Sequence, residues 1–141
     1  MKTKKEVLTL EHTADYFLAA VSCHRKNIRF VWELNQALNC SFERIEDYEI
    51  VLKKGQTAGF RMFQWHDPEE SFTYVVIENK SKLGPLIPEH GKMDYLFAVT
   101  GAVDSVNTRE VLSTIKKMND VLLAFEIDLE NTKSTQNLIL E

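Results

Sequence analysis

Three segments of this chain are apolar at both odd and even positions. Phe60 to His66 sets Phe60 and Met62 against Phe63 and Trp65; Phe72 to Asn79 sets Phe72, Tyr74 and Val76 against Thr73, Val75 and Ile77. Met93 to Thr100 sets Tyr95, Phe97 and Val99 against Leu96 and Ala98. Successive side chains of a strand leave opposite faces of a sheet, so a strand that is apolar on both faces belongs inside the sheet and must be covered on both sides. The segments at 60–66 and 72–79 therefore read as central strands, and 93–100 as an interior one. The break at Asp67-Pro68-Glu69-Glu70 separates the first two.

The rest of the chain supplies the remaining elements. Asp15 to Ser22 is rich in aromatic and branched residues and predicts a first strand, with Val7 to Leu10 as a compatible extension. From Lys26 to Asn39 the spacing becomes helical, with Ile28, Val31, Trp32, Asn35 and Leu38 as the inward stripe and Arg29, Glu33 and Gln36 on other faces. Asn35 within that stripe is expected to be a buried, hydrogen-bonded amide. Tyr48, Ile50 and Leu52 alternate with Glu49, Val51 and Lys53 as a strand, and Lys54-Gly55-Gln56 supplies the hairpin turn after it. Gly101 ends the strand begun at Met93. Asn107 with Glu110 resembles a capping box and opens a helix that carries Val111, Leu112, Ile115 and Met118 inward and Arg109, Lys116 and Lys117 outward. After Asn119-Asp120, the residues Val121, Leu123, Phe125, Ile127 and Leu129 alternate with polar or small ones as a last strand.

These elements predict an α+β fold, a single mostly antiparallel sheet of about six strands with two helices packed on it, in the order β-α-β-β-β-β-α-β. A chain of 141 residues is the size of one domain. Residues 1–130 are assigned to it and 131–141 to a polar, mobile C-terminal tail. Two helices cannot cover both faces of such a sheet, so the second face is expected to need a second copy of the chain or a ligand.

Residues 79–92 form the longest irregular stretch, with lysines at 80, 82 and 92. Pro88 lacks an N–H and biases Ile87 toward extended backbone, and Gly91 relaxes the chain again before Met93. Glu89, His90, Asp94 and Tyr95 gather at this corner. The run Ile87-Pro88-Glu89, three residues, then Met93-Asp94-Tyr95 resembles the signature of the IPExxxVDY family, small bacterial proteins of unassigned function; Met93 stands where the family has Val. The resemblance implies a family and no reaction.

The formal charge of −4, from 17 basic and 21 acidic residues, argues against wholesale neutralisation of a phosphate backbone, so nucleic acid is not an expected partner. Glu11, His12 and Asp15 interrupt the basic start before the apolar Tyr16–Cys23 run, which spoils an export signal, and no run reaches the roughly 18 apolar residues of a membrane span. The expected location is the cytoplasm, with Cys23 and Cys40 as reduced, small, buried hydrophobes. His12, His24, His66 and His90 are scattered, so no metal and no cofactor are expected.

The leading functional expectation is a non-enzymatic protein-interaction or self-associating module, a homodimer or a complex with an unknown protein, through Phe63, Trp65, Lys80, Lys82 and Lys92. One alternative is an enzyme in which Glu89 and Asp94 divide acid and base roles beside Tyr95. Another is weak binding of single-stranded nucleic acid, with bases stacked on strand aromatics. Against catalysis stands a structural role for the same residues: Glu89 accepting backbone N–H groups after Pro88, Asp94 anchoring the strand start, and Tyr95 buried with its hydroxyl capped.

Overall fold

The computed structural model describes residues 16–52 and 54–138. The proposed extension over Val7 to Leu10, His12, Lys53 and the last three residues lie outside that range. Among the described residues there are six strands and two helices. They are β1 (Phe17–Cys23), α1 (Asn27–Leu38), β2 (Glu43–Val51), β3 (Thr57–His66), β4 (Phe72–Glu78), β5 (Tyr95–Gly101), α2 (Thr108–Lys116) and β6 (Val121–Glu126). This is the expected α+β class in the expected order. The strands form one sheet in the order β2-β3-β4-β5-β1-β6, every neighbouring pair antiparallel. Strands β2 to β5 make a meander, and β1 inserts between β5 and β6.

The two-faced strands divide their side chains as their alternation requires. On the helix side, Phe30, Val31 and Leu34 of α1 and Ile115 of α2 join Ala19, Val21, Phe63, Tyr74, Val76, Phe97 and Val99 in one buried cluster. On the other side, Leu18, Ala20, Phe60, Val75, Ile77, Leu96 and Ala98 form a second. That second face is not bare. Leu86, Ile87 and Met93 of the irregular loop and Leu138 near the C-terminus are buried in the same cluster, so the need for a second copy or ligand to cover this face disappears. The segment assigned to a mobile tail is packed through residue 138. It forms a 3-10 turn at Lys133–Asn137, with Thr132, Thr135 and Leu138 buried.

The inward stripe of α1 is Asn27, Phe30, Val31 and Leu34, one position round from the expected one. Ile28 and Trp32 are exposed. Both stripes obey helical spacing and share Val31. Phe30 decides between them, because its ring stacks on Tyr95 at 4.3 Å and is fully buried. Asn35 is only half-buried, yet its amide oxygen accepts from the Phe42 N–H at 2.8 Å and so closes the helix exit.

Strand β2 begins at Glu43, ahead of the expected Tyr48. Its first half is charged and carries no apolar alternation to read. As an edge strand with a register shift between Ile45 and Tyr48, it bears the charges and irregularity that discourage edge-to-edge association. The last strand also departs from its expected single face. A register shift opposite Ser22 and Cys23 sends Val121 to the helix-side cluster and Phe125, Ile127 and Leu129 to the other. Phe63 is buried, and Trp65 is half-buried with its ring 5.9 Å from Phe72 and 5.5 Å from Tyr74. Neither offers the exposed aromatic platform expected of an interaction or base-stacking surface.

Candidate functional site

The loop between β4 and β5 is organised by Asn79, which is fully buried. Its side-chain nitrogen donates to the carbonyls of His90 at 2.9 Å and Met93 at 3.0 Å, and its amide oxygen accepts from the Ile87 N–H at 2.9 Å. Its own backbone N–H donates to the Asp94 carbonyl and its carbonyl accepts from the Leu86 N–H. One side chain thus ties both ends of a non-repetitive segment, where a helix would satisfy its backbone internally. Pro88, Glu89 and His90 form a 3-10 turn inside this tie. The Ile-Pro step carries the neighbouring Leu86 and Ile87 down onto the second face.

The two acids of the corner part company. Glu89 is exposed, and its carboxylate accepts from the Ser134 N–H at 3.1 Å, which pins the C-terminal turn, as well as from its own backbone N–H. Hydrogen bonding from Ser134, its side chain foremost, holds the Glu89 carboxyl below its ordinary range. Asp94 accepts from the Cys23 N–H at 2.9 Å and the Ser22 hydroxyl at 3.4 Å, and pairs with Lys80 at 3.0 Å. Glu89 borders a surface hollow with His90, Lys92 and Phe125, whereas Asp94 borders a separate cleft with Lys80 and Tyr95. Glu89 and Asp94 are thus not assembled as a carboxylate pair for acid–base work.

Tyr95 is buried, and its hydroxyl donates to the Arg25 carbonyl at 2.6 Å. Burial pushes its ionisation well up, with Glu78 nearby adding to the effect. Together Asp94 and Tyr95 hold the turn between β1 and α1, one by the Cys23 N–H and the other by the Arg25 carbonyl. Asp94 accepts a backbone N–H and Tyr95 is buried with its hydroxyl engaged, as the structural reading has them; Glu89 adds to its own backbone N–H a partner outside its loop.

Both cysteines are free thiols. Burial raises the Cys23 thiol, and pushes Cys40 up to about 12, so neither is an activated nucleophile. Among the described residues no group of His, Cys, Asp and Glu side chains is placed to hold a metal ion, and no helix is long and apolar enough to cross a membrane. Lys80, Lys82 and Lys92 are exposed but do not form one patch. The first two border the same cleft beside Leu83, while Lys92 lies in the hollow with Glu89.

Two features had escaped the sequence reading. One is the outward pair Ile28 and Trp32, which was assigned to the core. The other is the consecutive run His24-Arg25-Lys26, directly before α1, which with Arg61 and Lys80 borders a cleft of 390 Å³. A basic run before a helix in a chain of net charge −4 was a signal available from sequence. Arg61, by contrast, enters only through the register of β3. Comparison with protein-family models and with curated proteins finds no match to this chain.

Proposed function

We propose that the protein is a non-enzymatic protein-interaction module whose contact surface is the outward side of α1 with the adjoining turn from α2 to β6. The observation that carries this reading is the exposure of Ile28 at 76% and Trp32 at 53%, four residues apart on a helix whose inward Phe30 and Leu34 are fully buried. The Arg29 guanidinium lies 5.3 Å from the Trp32 ring centroid, and both border a groove of 540 Å³ that also takes in Met118 and Asp120. Tryptophan and arginine side by side make up the commonest interface hot spots, and solvating an indole to this extent has no benefit for the isolated fold. Self-association through this surface is one form of the proposal.

Membership of the IPExxxVDY family, on Ile87-Pro88-Glu89 and Met93-Asp94-Tyr95, belongs to the same reading. So does a cytoplasmic setting, to which the free thiols of Cys23 and Cys40 are suited. The test compares wild type with Trp32→Ala by light scattering on a sizing column and by affinity capture from the native cell. A dimer or a specific captured protein that Trp32→Ala loses, at a cost of about 2 kcal/mol or more in binding and with the melting temperature retained, is the expected result. A chain that stays monomeric, with an unchanged set of captured proteins in the variant, overturns it.

A further inference from the structure

Unpaired charge collects in the cleft at the turn from β1 to α1. Of the cations bordering it, Arg25 is engaged with Asp120 and Lys80 with Asp94, each at 3.0 Å. The side chains of His24, Lys26 and Arg61 have no ion pair or hydrogen bond among the described residues. Both carboxylates of the cleft accept hydrogen bonds, and of the two only Asp94 is ion-paired. Asp94 holds Cys23, Ser22 and Lys80, and Glu78 accepts from the buried Asn27 amide. Arg61 lies next to the Met62–Ile77 pair in the β3–β4 register and so beside Glu78, yet makes no ion pair with it.

The turn delivers its basic residues into this cleft from a fixed backbone. Asp94 binds the Cys23 N–H, Tyr95 binds the Arg25 carbonyl, and Lys26 is the residue from which α1 starts. That start has no capping side chain and no acid in its first turn. Two cations that approach one cleft from different elements suit a multiply charged oxyanion better than a single carboxylate, which one arginine fork would satisfy.

We propose that this cleft binds a small phosphate-bearing molecule, with Lys26 and Arg61 as its ligands and Asp94 and Tyr95 of the signature as the residues that position the turn. This goes beyond the protein-contact reading and uses an adjoining cleft, with Arg25 bordering both. The site gives Asp94 and Tyr95 a task that Ile87 and Met93 of the signature, which cover the second sheet face, do not share.

The test is a titration of the full chain with pyrophosphate at constant ionic strength, followed by amide resonances. Saturable shifts concentrated on residues 24–29 and 61 are expected. The double variant Lys26→Ala/Arg61→Ala weakens binding at least about tenfold, and Lys116→Ala/Lys117→Ala on α2 leaves it unchanged. Tyr95→Phe, which removes only the hydroxyl held by Arg25, weakens pyrophosphate binding with the fold intact; unchanged affinity removes its positioning role. Absence of saturation by about 10 mM, or equal binding by the double variant, overturns the proposal. Acetate binding as tightly as pyrophosphate would assign a carboxylate site instead, and a single-stranded oligonucleotide binding far more tightly at the same residues would replace the small-molecule class.

Discussion

On one face of the sheet, α1 and α2 contribute Phe30, Leu34 and Ile115 to the core; on the other, an irregular loop contributes Leu86, Ile87 and Met93. The buried side chains are of the same kind, and the difference lies in the backbone behind them. A helix satisfies its own N–H and C=O groups, so its covering role is spread over several interchangeable apolar contacts. The loop cannot do this throughout, and it concentrates the requirement on Asn79, whose side chain serves Ile87, His90 and Met93. Cover by a loop therefore has a single point of failure that cover by helices lacks.

The sharpest way to break this comparison is Asn79→Ala. It leaves the buried Ile87 N–H and the Met93 carbonyl without their partner and the His90 carbonyl with the Met93 N–H alone, and a cost of about 4 kcal/mol is expected from urea unfolding. A loss below about 1 kcal/mol would show that water or relaxation replaces the tie. Next in size, Ile87→Ala and Ile115→Ala remove equally buried side chains from the two faces, and each should cost about 3 kcal/mol. Equal losses with unequal amide exchange, wider in the loop variant, would support the contrast, whereas a far smaller loss at Ile87 would mean that the second face is only loosely covered.

The smallest effect concerns Glu89 and the C-terminal turn. Its carboxyl is held below the ordinary range by Ser134, so the contact stabilises at and above that range and is lost as pH falls through the depressed value. Glu89 is exposed, and solvent screening keeps the contribution small. Amide exchange at residues 134–138 is expected to quicken on acidification in wild type and to be quick at all pH values in Glu89→Gln. Equal protection in the two proteins would show that Leu138 alone seats the turn.

Much of the site could be read in advance only as a place. Pro88, Gly91 and the clustered acids marked the corner; Asp94 was legible as a backbone anchor and Tyr95 as a buried ring with its hydroxyl capped, but not that both hold the turn between β1 and α1. The partners were not legible, because Cys23 and Arg25 lie about seventy residues away. For Glu89 only the bond within its own loop was legible, since local hydrogen bonding is the default where the distant chain is unknown; its further partner came from the C-terminal turn. Phe63 and Trp65 looked available for contact because strand alternation reveals which residues share a face and not what covers it. Trp32 was the reverse case, an aromatic at a helical interval that read as core until Phe30 took that place.

By itself the sequence determined the α+β class, the order of the elements and the demand that both faces of the sheet be covered, because side-chain alternation and helical spacing are properties of neighbouring residues. What covers the second face, which side of α1 points inward, and the meeting of His24-Arg25-Lys26 with Arg61 were decided only by the tertiary structure. Each depends on competition between segments far apart in the chain: a loop tied by one buried asparagine against a partner molecule, and a phenylalanine against a tryptophan for the same space.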